Sequence, residues 1–186
     1  MGFLKSLFGG PGPQSAADYL ERGISRARRG DHDRAIADFG RAIRLDPNDP
    51  RPYYHRGLAF REKDEYDWAI ADFHEAIRLN PGDARAYQNR GDAYTDKGEY
   101  DKAIADHSEA VRLDAGSVPA YLGRGQAHHR KGAHDQAIAD YSEAIRLDPS
   151  NDRAYRYRSV CYLLTGEYDK STADRAEAGR LTSKHT

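Results

Sequence analysis

One block of sequence recurs at a fixed interval, and this periodicity restricts the possible folds more than any other property of the chain. HDRAIADFGRAIRLDPND (32–49), YDWAIADFHEAIRLNPGD (66–83), YDKAIADHSEAVRLDAGS (100–117) and HDQAIADYSEAIRLDPSN (134–151) follow one another at a spacing of 34 residues. A decayed copy, YDKSTADRAEAGRLT, begins at 168, and each block follows a Tyr-containing segment such as AYQNRGDAYTDKG (86–98). The repeating units are therefore 16–49, 50–83, 84–117, 118–151 and 152–185 of a 186-residue chain, preceded by an apolar, Gly/Pro-containing arm at 1–15. No room remains for a second domain.

Each unit reads as helix, tight turn, helix. In the third unit Tyr87, Gly91 and Tyr94 are spaced four and three apart, which places them on one helix face. Gly98 stands where a left-handed residue ends that helix. Asp101, with Asp33, Asp67, Asp135 and Asp169 at the same place elsewhere, is expected to cap the second helix. Ala103, Ile104, Ala110, Val111 and Leu113 fall on the buried side of that helix, and Asp-Pro or Asn-Pro terminates its counterparts at 46–47, 80–81 and 148–149. Branched aliphatics are scarce, and 32% of residues are charged. The core must therefore be carried by Ala and Tyr, which favours close helix packing.

The 29 Lys and Arg nearly cancel the 30 Asp and Glu, leaving a net charge of −1. That balance supplies no positive field for nucleic acid. The single cysteine, Cys161, excludes an internal disulfide framework and a multi-cysteine zinc site, and no apolar run approaches the length of a membrane span. These properties point to a soluble protein of the reducing cytoplasm. Catalytic constellations are missing: there is no Ser-His-Asp arrangement, no G-x-G-x-x-G and no G-K-[ST]. The adjacent His128 and His129 diverge by about 100° on a helix, a poor arrangement for joint chelation. No catalytic residue, cofactor or metal is expected. His107 and His128 replace aromatic packing residues at the junction of the third and fourth units, where polar packing is the expected role; a mutual hydrogen bond and a pH-sensitive loosening of that junction are the alternatives left open.

The period and the in-register small and aromatic positions resemble the tetratricopeptide repeat, over about nine-tenths of the chain. The resemblance implies an all-α, right-handed α-solenoid of five stacked antiparallel helix pairs, with a concave groove that binds a peptide or partner protein. It also exposes two departures. Arg occupies the seventh place, usually leucine, in all five units (Arg22, Arg56, Arg90, Arg124, Arg158), and Asp the twenty-third (Asp38, Asp72, Asp106, Asp140, Asp174). A ladder of Arg–Asp pairs along the helix seams is expected. In the last unit Ser171, Thr172 and Arg175 replace apolar residues, as a polar end face requires.

By the same resemblance the groove is lined by Leu20 and Ile24, then Tyr54, Leu58 and Arg61, then Gln88, Asp92 and Asp96. Leu122, Gln126 and Arg130 follow in the fourth unit, and Arg153, Arg156, Val160 and Leu164 in the fifth. A matching ligand is an extended or helical peptide with apolar anchors and a central basic residue. The Lys–Asn clamp that grips acidic chaperone tails in one subclass is absent from these places, which disfavours a chaperone-tail partner. Trp68, in a column otherwise held by Arg34, Lys102, Gln136 and Lys170, is expected to be exposed, as an interface hot spot or lying over neighbouring side chains. Phe3, Leu4, Leu7 and Phe8 form a short apolar face with weak membrane potential. The expected function is a non-enzymatic interaction scaffold or adaptor. The alternatives are a self-assembling module and a membrane-peripheral organiser held by the arm.

Overall fold

The structure is a computed structural model and describes residues 15–183. The arm face of Phe3, Leu4, Leu7 and Phe8 therefore lies outside the described residues. All regular structure among them is helical, and the chain separates into two compact units, the first ending at Pro81 and the second beginning at Gly82.

In the first unit α1 (Ala16–Arg28) pairs with α2 (His32–Leu45), and α3 (Pro50–Arg61) with α4 (Tyr66–Leu79). The second unit holds three such pairs: α5 (Ala84–Lys97) with α6 (Tyr100–Leu113), α7 (Val118–Arg130) with α8 (His134–Leu147), and α9 (Asp152–Leu164) with α10 (Tyr168–Thr182). Within each unit, every second helix also packs on the first helix of the following pair.

The helix starts have a local cause that differs from the sequence expectation. First helices are capped by Ser15, Asp49, Asp83, Ser117 and Asn151, whose side chains accept amide hydrogen bonds from the first turn. Asp33, Asp67, Asp101, Asp135 and Asp169 are not caps. They lie inside the first turn of the second helices, where a carboxylate still opposes the positive end of the dipole. Asp33 and Asp101 take cross-repeat partners: Lys63 Nζ lies 2.7 Å from Asp33 and Lys131 Nζ 2.5 Å from Asp101. The turn residue is left-handed in all five repeats, as Gly30, Gly98, Gly132, Gly166 and, at the second repeat, Asp64 with φ 58°. Asp64 is held there by the Tyr66 hydroxyl, which donates to its Oδ1 at 2.6 Å.

The core is alanine, as the composition requires. Ala35, Ala69, Ala103 and Ala137 are fully buried at one repeat position, and Ala42, Ala76, Ala110 and Ala144 are buried at another. In the first four pairs one aromatic fills the remaining space: Phe39, Phe73, His107 and Tyr141; the fifth pair has Arg175 at that place. Tyrosine carries less of the core than the composition suggested: among the described residues Tyr141 alone is buried, Tyr168 is exposed and the others are half-buried. Glycine admits these rings to the facing helix. A Cβ at Gly125 would stand 2.6 Å from Tyr141 Cε1, and one at Gly57 2.9 Å from Phe73 Cε1. Since Tyr141 is enclosed, Gly125→Ala is expected to destabilise by about 1–3 kcal/mol despite the better helix propensity of alanine, measured as a lower midpoint in urea unfolding. An unchanged or raised midpoint would show that the ring can yield.

The Arg–Asp ladder is present, with every rung inside one repeat. Each arginine forks onto its aspartate, with Nε to Oδ2 at 2.8 Å for Arg22–Asp38, 2.7 Å for Arg56–Asp72 and Arg90–Asp106, and 2.8 Å for Arg158–Asp174. Arg124 makes the fourth rung from Nε at 3.0 Å and Nη2 at 2.6 Å to Asp140. The guanidinium also lies over the tyrosine three residues earlier: Tyr19, Tyr53, Tyr87, Tyr121 and Tyr155. In the last two rungs Nη1 reaches back to the preceding pair, Arg124 to Ser108 Oγ at 3.3 Å and Arg158 to Ser142 Oγ at 2.9 Å. A planar five-donor group meets these demands together; leucine or lysine cannot.

At the last pair the polar end face is only partly as expected. Thr172 and Arg175 are exposed, but Ser171 is buried and donates to the Ser159 carbonyl at 2.8 Å. Val160, Leu163, Leu164 and Tyr168 are exposed instead.

Candidate functional site

The expected groove residues divide into three groups. Leu20 and Leu122, 3% and 9% exposed, belong to the packed clusters of their units and are core rather than ligand-facing surface. At these places the fifth residue of the repeat is apolar and the adjacent pair covers it. Ile24, Tyr54, Leu58 and Arg61 are half-buried in the first unit, where Tyr54 leans on His55 and Phe73. Gln88, Asp92 and Gln126 are half-buried in the second unit, while Asp96, Arg130, Arg153 and Arg156 are exposed.

In the second unit a pocket of about 350 Å³ is lined by Gln126, His129, Arg130, Tyr141, Tyr157 and Val160. It brings together three expected positions, Gln126, Arg130 and Val160. Sequence reasoning missed His129, Tyr141 and Tyr157. Their signal was present: Tyr157 stands in a column otherwise held by Glu21, His55, Asn89 and Gly123, and Tyr141 carries a hydroxyl where Phe39 and Phe73 have none. Tyr141 and Tyr157 meet at a ring separation of 5.6 Å. Burial raises the Tyr141 hydroxyl far above its ordinary range, so it stays protonated.

Charge around this pocket is mixed. Arg153 Nη2 donates to Tyr157 Oη at 3.3 Å, lies over the Tyr157 ring, and feels the Asp92 carboxylate. Arg156 is paired with Asp152. The Asp92 carboxylate also lies 3.6 Å from His107 Nε2.

Next to the pocket, Cys161 Sγ stands 3.5 Å from His129 Nδ1. The His129 and His134 rings are 5.3 Å apart. Burial pushes the Cys161 thiol up to about 11 and lowers the basicity of His129, with His134 adding to the second effect. At ordinary pH the thiol is therefore protonated, and it is buried and inert as a nucleophile. The mutual hydrogen bond between His107 and His128 does not form: both ring nitrogens of His107 and Nδ1 of His128 lack hydrogen-bond partners. His128 turns its Nε2 toward Asp140 instead, at 3.9 Å. Trp68 is exposed as expected, 64%, and stacks on Phe60 at 6.2 Å.

Paired helices repeated every 34 residues, with small residues at the close approaches and a buried aromatic in four of the five pairs, define a helical-hairpin repeat protein. Models of the tetratricopeptide repeat match at 25–64 and 91–132, at 50–83 and 118–151, and at 73–105. The chain belongs to the tetratricopeptide repeat family. No curated protein matches it significantly in sequence. Among solved structures it is similar to MamA, at 26% identity and TM-score 0.82 over 88% of this chain and 95% of that one. It is also similar to residues 41 to the end of MamA from Desulfovibrio magneticus RS-1, at 20% identity and TM-score 0.85 over 94% and 98%. YrrB, a tetratricopeptide repeat protein with an unusual peptide-binding site, matches at 20% identity and TM-score 0.76 over 92% and 88%.

Proposed function

We infer that the protein is a non-enzymatic, cytoplasmic interaction scaffold that binds a peptide segment of a partner protein along its first helices. The pocket between Gln126, His129, Arg130, Tyr141, Tyr157 and Val160 carries this reading, because three of its walls come from the positions that the repeat family devotes to ligands. A pocket of this volume, walled by two tyrosine rings and a valine, suits one apolar side chain, whose burial contributes roughly 1.5–3 kcal/mol. Asp92 and Asp96, four residues apart on α5, favour a basic residue beside that anchor. The likeness to YrrB agrees with peptide recognition.

Selection from a random peptide display library, followed by calorimetry, tests the reading. The expected peptides share an apolar anchor next to Lys or Arg. Val160→Arg, at an exposed position, and the Asp92→Lys/Asp96→Lys double variant are each expected to weaken binding at least tenfold while circular dichroism stays helical. Failure to enrich any peptide, or affinities indifferent to both variants, would overturn it.

A further inference from the structure

His129, His134 and Cys161 converge from three helices or helix ends of the second unit. His129 is in the last turn of α7, His134 opens α8, and Cys161 lies in α9. One ligand atom from each falls within 4.8 Å of the other two, and Cys161 Sγ and His129 Nδ1 are already 3.5 Å apart. Donor atoms around a tetrahedral ion, with bonds of about 2.0–2.3 Å, stand about 3.5 Å from one another. The remaining separations are no more than 4.8 Å, and binding requires them to shorten by side-chain rotation. Two imidazoles and a thiolate form a borderline-soft set that suits zinc and its neighbours rather than calcium or magnesium.

The repeat supplies its own control. The equivalent three places are Ala27, His32 and Ala59 one way along the chain, and Thr95, Tyr100 and Ala127 at the preceding junction. His32, like His134, has a buried Nδ1 without a hydrogen bond, so that nitrogen belongs to the position and not to a ligand. The two departures from the repeat, His129 and Cys161, are separated by 32 residues yet meet beside the one histidine that completes a three-donor set. Packing alone asks for a small residue at 161, as Ala59, Ala93 and Ala127 show.

We propose that His129, His134 and Cys161 form a binding site for a zinc-class divalent cation. On binding, the Cys161 thiol loses its proton to solvent and sulfur bonds the metal, the imidazoles donate their neutral lone pairs, and a water completes the fourth position. Because His129 also lines the neighbouring pocket, the ion would fix the ring that forms one of its walls. The site goes beyond the peptide reading and does not depend on it.

Cobalt(II) is the probe, added to the tag-free full chain in a phosphine-reduced buffer and followed by absorption. The expected result is one cobalt per chain with a sulfur-to-cobalt charge-transfer band, bleached when zinc displaces the cobalt. Cys161→Ala, which installs the residue of the second, third and fourth repeats, is expected to abolish the band. His129→Thr and His134→Tyr, again residues taken from the third repeat, are each expected to weaken cobalt binding beyond the roughly 10–100-fold that loss of a supporting contact costs a metal site. Absence of the band in the unaltered protein, its survival in Cys161→Ala, or cobalt affinity unchanged in either histidine variant would overturn the proposal. Circular dichroism of each variant separates lost binding from lost fold.

Discussion

Arg90→Ala is expected to lower the unfolding free energy by about 3 kcal/mol and by no more than about 5. The magnitude follows from what is left behind. Arg90 delivers two hydrogen bonds to Asp106, at 2.7 and 2.8 Å, and lies 5.7 Å from the centre of the Tyr87 ring. The two side chains are only 14% and 10% exposed, so alanine strands a carboxylate that water reaches poorly. The same physics predicts recovery. The Arg90→Leu/Asp106→Ala double variant removes both charges together and returns residue 90 to the leucine usual in the family, so most of the loss is expected to vanish. Arg22→Ala is the contrasting case. Arg22 is 38% exposed, and Arg26 Nη1 still holds Asp38 at 2.8 Å after the change, so the loss is expected to stay near or below about 1 kcal/mol. Urea unfolding of the four proteins checks the series; equal losses for Arg90→Ala and Arg22→Ala would show that burial does not set the cost.

The ladder was legible in the sequence because a repeat turns a coincidence of residue types into five coincidences at constant spacing, and antiparallel helices bring the seventh and twenty-third places together. The alanine core followed from composition for the same reason. Caps were misread at the second helices. Asp101 and its equivalents resemble N-caps in a one-dimensional pattern, yet each second helix begins one residue earlier, and the preceding Glu65, Glu99, Ala133 and Glu167 offer no side-chain cap hydrogen bond. The candidate site was harder to read. Groove positions transferred from the family describe which face a residue occupies, not whether a neighbour covers it, which is why Leu20 and Leu122 proved to be core. The contributions of Tyr157 and Cys161 could not be seen from their own helix, since each matters through partners on an adjacent pair. His107 was recognised as an aromatic replacement, but its isolation from hydrogen bonds depends on the glycines at 91 and 123, which let the facing helices close on the ring.

That isolation makes acid sensitivity the second large expectation. His107 is fully buried, and a Cβ at Gly91 or Gly123 would come within 2.9 or 2.3 Å of its ring. Burial lowers its pKa to about 4, and Arg124 adds to the effect; Asp106 and Asp140 oppose it without prevailing, and Asp92 is the other carboxylate facing the ring. In the unfolded chain the same imidazole titrates near its ordinary 6.5. Between these values the unfolded state takes up a proton that the folded state refuses, so stability present above pH 6.5 is lost as the pH falls toward 4. The full loss from this one group is about 3 kcal/mol, with no further loss below the folded value. His107→Phe restores the residue type of Phe39 and Phe73 and removes the two orphaned nitrogens. It is therefore expected to raise stability at pH 7 by about 1–2 kcal/mol and to delete this component of the acid response. Carboxylates and the remaining histidines titrate in both proteins, so the difference between their stability curves from pH 7 to 4.5 isolates residue 107. Parallel curves across that range would mean that water or a neighbouring carboxylate reaches the ring after all, and the glycine-lined closure around it would have to be given up.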